Sequence, residues 1–236
     1  GRINFIQGEE DVDPLYEDVS GHGTAVASVI AAKDNEIGIT GVNPNAELYS
    51  VKVLNDDKQA SLSGIIKGIY WCIENDIDII NMSFGTTVKS EILEQVIKEA
   101  DNAGILMIAA AGNLGEKDGE STVEYPAAFD EVMAVGAMNP QGEVSDMSSV
   151  GAEIELMAPG ESVLATGYYN EIICTDGTSM AAPHVAGAAS ILWAKDRSKS
   201  RDFIRALLNA SAAAVGDTDK QGNGVVDLEY ALSVYD

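Results

Sequence analysis

Short apolar runs of strand length alternate along this chain with longer segments of helical period, and this alternation restricts the fold more than any other feature. Four runs rich in β-branched and small residues have the length of buried strands: 46–53, 77–82, 105–110 and 132–135. They are continuously apolar, as strands are in a parallel sheet that is covered on both faces. Segments with a helical repeat predict helices at 22–32, 61–75, 89–103, 179–194, 201–211 and 228–234.

The order of these elements predicts the fold class. Parallel strands joined through helices require right-handed crossovers, which place helices on both faces of the sheet. We therefore expect an α/β protein of three layers, with a doubly wound, mostly parallel sheet in the middle. The 236 residues are 46% hydrophobic and contain no evident repeat or linker, so we predict one domain over residues 1–236.

Charge and cysteine content narrow the choice of partners. The chain has 38 acidic and 14 basic residues, a formal charge of -24, and no basic run that could follow a phosphate backbone or an anionic bilayer. We expect no nucleic acid partner and no membrane insertion, whereas cationic peptides would be attracted. Solubility alone explains the charge equally well. Cys72 and Cys174 lack metal-ligand spacing, and we expect both thiols to be buried and inert.

Candidate functional residues follow the predicted strands or open the predicted helices. In doubly wound sheets the catalytic and ligand-binding residues lie at the carboxyl ends of the strands and at the starts of the helices that follow them. His22 and Ser179 each open a predicted helix, while residues 83–85 and Asn113 each follow a predicted strand. We therefore expect these residues to lie at one edge of the sheet.

Ser179 has two interpretations. A serine at a helix start is most often an N-cap that satisfies an orphan N–H. Thr178 is available for that capping role, and Gly177 allows a sharp approach that turns the next side chain outward. As a nucleophile, Ser179 would need a base. His184 lies inside the same helix with a diverging side chain, so His22 is the candidate.

Four segments, "GHGTAVASVIAA", "MSFG", "AAAGN" and "GTSMAAPHVAGAA", occur in this order. They resemble the histidine, substrate-strand, oxyanion and serine motifs of the subtilisin-like serine proteases, the subtilase family. The resemblance implies a subtilisin-like fold and peptide-bond hydrolysis through an acyl-enzyme. It implies His22 as general base, Ser179 as nucleophile and Asn113 as oxyanion donor together with the Ser179 N–H. The alternative is a pseudoprotease that binds an extended peptide without cleaving it.

The catalytic aspartate of the family lies on a strand well upstream of the histidine motif, and no such strand precedes His22 here. Asp11, Asp13 and Asp18 are too close to His22 in sequence to replace it. Asp18 is expected to line the cleft floor or to be solvated. We expect an N-terminal piece of about forty residues, cleaved before Gly1, to stay docked by β-pairing and to carry the aspartate.

The family alignment also predicts specificity. The segment "NLGEKDGESTVEYPAAF" aligns without a gap and puts Glu124 at the bottom of the pocket for the residue before the scissile bond. A carboxylate there would favour Arg or Lys. The loop is acidic in any case, because it also holds Glu116, Asp118 and Glu120. A preference for basic residues would suit a protease that matures a specific protein or peptide.

The remaining predicted site residues surround the cleft. Ser83, Phe84 and Gly85 are expected to form an exposed strand that pairs with extended substrate, with Gly85 leaving the pocket entrance open. Gly112 belongs to a run of small residues that lets substrate approach closely. Leu62 would line a more distant subsite together with Phe84, or belong to the core.

The segment "KDNEIGI" resembles the calcium loop of the family. The resemblance implies oxygen ligands from the Asn35 side chain and from the carbonyls of Lys33, Ile37 and Ile39. A hydrated Asp-Asn turn accounts for the same residues. Calcium would be structural, since the chemistry implied by the resemblance needs no cofactor.

Overall fold

Strands and helices alternate through the part of the chain that the structure, a computed structural model, describes: residues 1–6, 18–215 and 220–235. The helices are α1 His22–Ala31, α2 Leu62–Glu74, α3 Glu91–Asn102, α4 Thr178–Lys195, α5 Arg201–Ala210 and α6 Leu228–Ser233. The strands are β1 Arg2–Asn4, β2 Ser50–Lys52, β3 Ile79–Met82, β4 Leu106–Ala110, β5 Val132–Met138, β6 Ile154–Pro159, β7 Val163–Thr166 and β8 Ile172–Thr175.

The six predicted helices all form, with ends within two residues of the predicted ones. Local capping explains four of them, because their N-cap side chains accept a hydrogen bond from a first-turn N–H. These caps are Ser61, Ser90, Ser200 and Asp227. The other two helices, α1 and α4, follow a glycine and have no side-chain cap.

The central sheet consists of four parallel strands in the order β3, β4, β5, β6. β1 pairs in parallel with β2, and β7 forms an antiparallel hairpin with β8. The predicted mostly parallel sheet is thus confirmed. Every residue of β4 and β5 is buried, as their continuous apolar sequences predict.

Helices cover both faces of this sheet and complete the three predicted layers. On one face α4 packs against alternate residues of β4, β5 and β6 through fully buried side chains that include Val185 and Leu192. On the other face α2 and α3 pack against the intervening strand residues through Ile69, Val96 and Ile97. No helix of the described ranges is long and apolar enough to cross a membrane.

Four strands, β1, β6, β7 and β8, form outside the predicted runs, and β6 shows the physical reason. Glu155 interrupts its apolar sequence, which hides the strand from a pattern of hydrophobicity. Two side chains of α5 compensate this carboxylate: the Arg205 guanidinium forms an ion pair with it, and Asn209 Nδ2 donates at 2.7 Å. Partners 50 and 54 residues away in the chain leave no local signal.

A groove separates β2 from β3. The two strands belong to different sheets, and among the described residues no strand lies between them. A cavity of about 130 Å³ opens in this groove. It is lined by mainly apolar side chains from both strands and from α2: Val51, Val53, Ile69, Cys72 and Met82. The sheet is therefore discontinuous beside the candidate site.

The buried position of Leu192 gives the first prediction. Leu192 is 0% exposed inside the layer formed by α4, whereas Leu164 in β7 is 56% exposed. We expect Leu192→Ala to lower the free energy of unfolding by about 2 to 5 kcal/mol, because it removes apolar contacts and leaves a cavity. The matched change Leu164→Ala should cost less than about 0.5 kcal/mol. Urea unfolding monitored by circular dichroism measures both, and equal costs would contradict the described core.

Candidate active site

The two helices whose N-cap residue is a glycine begin at or next to the candidate catalytic residues. α1 starts with His22 after Gly21, which has φ 67°, and α4 starts with Thr178 after Gly177, which has φ 138°. Glycine tolerates these positive φ values at little cost. Because no side chain caps α4, its first N–H groups stay available for other partners.

His22 is half-buried and lines a cleft of about 920 Å³ together with Asp18 and Ser83. Burial lowers the pKa of the imidazole below its usual 6.5, the charge of Lys58 lowers it further, and the charge of Asp18 opposes both effects. No described side chain forms a hydrogen bond with the ring. His22 is thus placed to hold a neutral imidazole in the cleft, without an orienting carboxylate among the residues described.

Asp18 is engaged in the turn that carries His22. Its Oδ2 accepts hydrogen bonds from Thr24 N at 2.7 Å and from Thr24 Oγ1 at 2.8 Å, and its Oδ1 accepts from Ser20 Oγ at 2.9 Å. Burial acts to raise the pKa of Asp18, but these hydrogen bonds outweigh it and the pKa is lowered. Asp18 therefore lines the cleft, in agreement with the first of its two predicted alternatives, and protein hydrogen bonds hold its carboxylate. Asp11 and Asp13 lie outside the described residues.

Ser179 contacts the segment that follows β3. Its Oγ donates to Ser83 O at 3.2 Å, and Ser83 Oγ donates back to Ser179 O at 2.8 Å. The Ser179 hydroxyl caps no helix N–H, which excludes the capping interpretation. The predicted capping role of Thr178 is also wrong, because its hydroxyl accepts from Gly112 N and donates to Asn113 Oδ1.

Asn113 joins the end of β4 to the start of α4. Its Oδ1 accepts hydrogen bonds from Thr178 N at 2.9 Å and from Thr178 Oγ1 at 3.1 Å, which fixes the amide with Nδ2 as the remaining donor. A β-carbon built on Gly177 would lie 3.6 Å from Asn113 Nδ2 and 3.7 Å from Ser179 N. Both nitrogen atoms thus lie within 3.7 Å of one point beside Gly177. Such a pair can stabilise a negative oxygen.

Glu124 lies between the two backbone segments that flank this site. A β-carbon on Gly85 would be 2.9 Å from Glu124 Cβ, and one on Gly112 would collide with the Glu124 carboxyl group. Burial raises the pKa of Glu124, while the hydrogen bond from Asn113 N–H and the charge of Lys117 act against that rise. Only glycine at positions 85 and 112 leaves room for this carboxylate.

The segment after β3 differs from its prediction. Residues 83–85 do not form a regular strand, and Ser83 is buried at 7% exposure. Phe84 lines both the cleft and the apolar cavity, and Gly85 is exposed. Thr86 then pairs with Tyr125 through two backbone hydrogen bonds of 2.8 and 2.9 Å. Leu62 is 40% exposed in the first turn of α2, so it is not a core residue.

The other histidine and the two cysteines lie apart from this chemistry. His184 Nδ1 is 2.8 Å from Met180 O within α4, and burial lowers its pKa. Cys72 is buried in the core, and burial raises its pKa to about 11. The prediction of a buried Cys174 is wrong, because this residue is exposed on the edge of the β7–β8 hairpin.

The predicted calcium loop offers few ligands. Asn35 Oδ1 accepts a hydrogen bond from Ile37 N at 3.2 Å, which closes a local turn, and Lys33 Nζ donates to Pro44 O. The Asn35 amide and three carbonyls, including that of Ile39, supply fewer than the roughly six to eight oxygen ligands of calcium. In the described ranges no three His, Cys, Asp or Glu side chains come together as a metal site. The loop by itself does not fit calcium.

Asn81 is a site residue that the sequence analysis missed. It lies in β3 among apolar neighbours, and its Nδ2 donates to Ser83 Oγ at 2.9 Å. Its Oδ1 is buried and has no hydrogen-bond partner among the described residues. The sequence does contain a signal for this residue, because Asn81 is a polar residue inside the apolar run "IINMSFG".

Comparison with known proteins agrees with this geometry. The chain is 42% identical to subtilisin DY of Bacillus licheniformis over 231 residues, covering 98% of this chain and 83% of that protein. It is 44% identical to a thermostable alkaline protease of Halalkalibacterium halodurans, covering 96% of this chain and 60% of that protein. The solved structure of sphericase matches with a TM-score of 0.87 and 32% identity, over 96% of this chain and 83% of that one. The sequence pattern described as "Subtilase family" matches residues 2–229, and the chain therefore belongs to the subtilase family of serine endopeptidases.

Proposed function

We propose that this chain cleaves peptide bonds through an acyl-enzyme on Ser179, with His22 as general base. The observation that carries the proposal is the placement of Asn113 Nδ2 and Ser179 N within 3.7 Å of one point beside Gly177, next to Ser179 in the chain. These donors would hold the carbonyl oxygen of the substrate as it becomes negative. Family membership independently supports the same roles.

In each half of the proposed reaction, acylation and then deacylation, one proton is transferred through His22. His22 takes the proton of the Ser179 hydroxyl while the oxygen attacks the scissile carbonyl, and it then gives this proton to the leaving amine. Water next replaces the amine, gives a proton to His22 and attacks the acyl group, after which the proton returns to Ser179. The hydrogen bond from Ser179 Oγ to Ser83 O must open in the first step.

Labelling by a fluorophosphonate tests this function. The wild-type enzyme with its docked N-terminal piece should label at Ser179 and hydrolyse peptides, because only an activated serine reacts readily. Ser179→Ala should abolish labelling and lower kcat by roughly a millionfold, a size known for subtilisin itself. Ser190→Ala is the matched control in α4 and should label normally. A wild-type protein that binds peptides without labelling or cleaving them would be a pseudoprotease and would contradict the proposal.

We further propose that an extended segment fills the groove between β2 and β3 and carries the aspartate that orients His22. Within the described ranges neither strand pairs with another on the side of this groove, and exposed strand edges are unfavourable. The cavity there is apolar on the α2 side, whereas the cleft on the other side holds His22 and Asn81. A strand with apolar side chains toward α2 and a carboxylate toward His22 would suit both sides. The family comparison supports an N-terminal piece of about forty residues as its source.

The pKa of His22 tests the segment. In the 236-residue chain alone, we expect His22 to titrate below 6.5, since burial and Lys58 lower its pKa. A docked peptide that contains the aspartate should raise this pKa, because a nearby carboxylate favours the imidazolium. NMR titration can follow the ring, and His184→Gln identifies its signal. The same peptide with Asn in place of Asp is the control, and equal pKa values with both peptides would contradict the proposal.

We propose that Glu124 selects Arg or Lys before the scissile bond, which would suit the maturation of a specific protein or peptide. Its carboxyl group lies beside Gly112 and next to Asn113, where the substrate carbonyl would be held. A basic side chain entering between residues 85 and 112 would meet this carboxylate in a partly buried setting. Charge-assisted hydrogen bonds of this kind are stronger than neutral ones.

Glu124→Gln should lower kcat/KM for Arg substrates relative to Phe substrates by about tenfold or more, because it removes a charge-assisted contact. Glu120→Gln changes an exposed charge in the same loop and should leave the ratio unchanged. The Arg preference should be present above the pKa of Glu124 and fall as pH decreases through it. Because burial raises this pKa above 4.5, the loss should begin at a higher pH than for an exposed glutamate. If the ratio of kcat/KM for Arg and Phe substrates changed neither with the mutation nor with pH, the assignment would be refuted.

A calcium ion at the loop of Lys33 and Asn35 would require further oxygen ligands from the proposed segment. The loop supplies backbone carbonyls and one side-chain amide, which are hard ligands of the right kind. Any calcium would stabilise the fold and take no part in the proton transfers at Ser179.

A further inference from the structure

The carbonyl group of Ser179 has an unusual place in α4. In an α-helix the oxygen of one residue accepts from the N–H four residues later. For Ser179 that residue is Pro183, which has no N–H. Ser83 Oγ replaces the missing donor and donates to Ser179 O at 2.8 Å. A side chain from outside the helix thus fixes the peptide group that carries the nucleophile.

The direction of the Ser83 hydroxyl is set by Asn81. A serine hydroxyl has one proton, and Ser83 uses it for Ser179 O. Its other neighbour must therefore donate to it, which identifies the Asn81 atom at 2.9 Å as Nδ2. The chain of donors runs from the Asn81 amide through the Ser83 hydroxyl to the Ser179 carbonyl, and Ser83 is buried at 7% exposure.

The carbonyl oxygen of the Asn81 side chain lacks a hydrogen-bond donor among the described residues. This atom, Oδ1, is buried and accepts no hydrogen bond from residues 1–6, 18–215 or 220–235, and unpaired buried acceptors are rare in folded proteins. Asn81 lines both the apolar cavity between β2 and β3 and the cleft that contains His22. A segment in the groove could present a donor directly to this oxygen.

We propose that Asn81 is a positioning residue that couples occupancy of the groove to the placement of Ser179. A donor of the docked segment binds Asn81 Oδ1 and holds the amide plane. The amide then holds Ser83 Oγ, and Ser83 holds the Ser179 carbonyl that Pro183 leaves unpaired. This inference rests on the docked segment of the proposed function, and it gives the segment a second task besides supplying a carboxylate.

The test uses the complete enzyme with its docked segment and measures kcat, KM and the rate of fluorophosphonate labelling. Asn81→Ala and Ser83→Ala should each lower kcat and the labelling rate by about tenfold, with KM changed less than about twofold, since each removes one buried hydrogen bond that orients the nucleophile. The double variant should be no slower than the slower single variant, because both changes break one chain of contacts.

Asn43→Ala is the matched control. Asn43 Nδ2 donates to Ser190 Oγ at 2.8 Å, and Ser190 Oγ donates to Gly187 O at 2.7 Å, so the same type of relay reaches α4 away from the site. This variant should keep wild-type kcat. An Asn81→Ala enzyme with wild-type kcat, or a loss equal to that of Asn43→Ala, would overturn this inference alone. A wild-type complex that does not label would overturn the proposed function and this inference together.

Discussion

The attachment of α4 to the end of β4 is the contact on which the site depends. Thr178 is 0% exposed, and both its N–H and its hydroxyl donate to Asn113 Oδ1. These bonds replace a capping side chain and fix the direction in which α4 enters the core. The same bonds leave Asn113 Nδ2 as a donor on the side of Gly177 where Ser179 N also lies. One side-chain amide therefore serves the packing of the central helix and the geometry of the donor pair.

Most of the fold could be predicted from local sequence patterns. The helical repeat predicted the helices closely, because this signal acts within one or two turns, and caps such as Ser61 and Ser90 act over the same range. Buried strands such as β4 were readable as continuous apolar runs. β6 was not, since Glu155 is compensated by Arg205 from a distant part of the chain. For β6 and for Thr178, interactions between residues far apart in the chain decided what the sequence analysis missed or misassigned.

In the candidate site, too, the main residues could be predicted from the sequence, whereas some of the contacts that support them could not. His22, Asn113 and Ser179 were found from motifs in which each residue stands at the end of a strand or the start of a helix. The predicted capping role of Thr178 and the predicted burial of Cys174 were wrong, because each depends on which segment packs alongside. These errors concern the supporting contacts of the site and leave the position of its main residues unchanged.

The discontinuity between β2 and β3 links the fold to the proposed mechanism. Among the described residues, the His22 ring has no carboxylate hydrogen-bonded to it and Asn81 Oδ1 has no donor, and both residues line the same cleft. A crystal structure of the active protein purified from its natural source tests this account most directly. We predict a parallel strand between β2 and β3, hydrogen-bonded to both, with a carboxylate on the His22 imidazole and a donor on Asn81. An active protein in which β2 and β3 pair with each other, or in which the groove stays empty, would contradict the account.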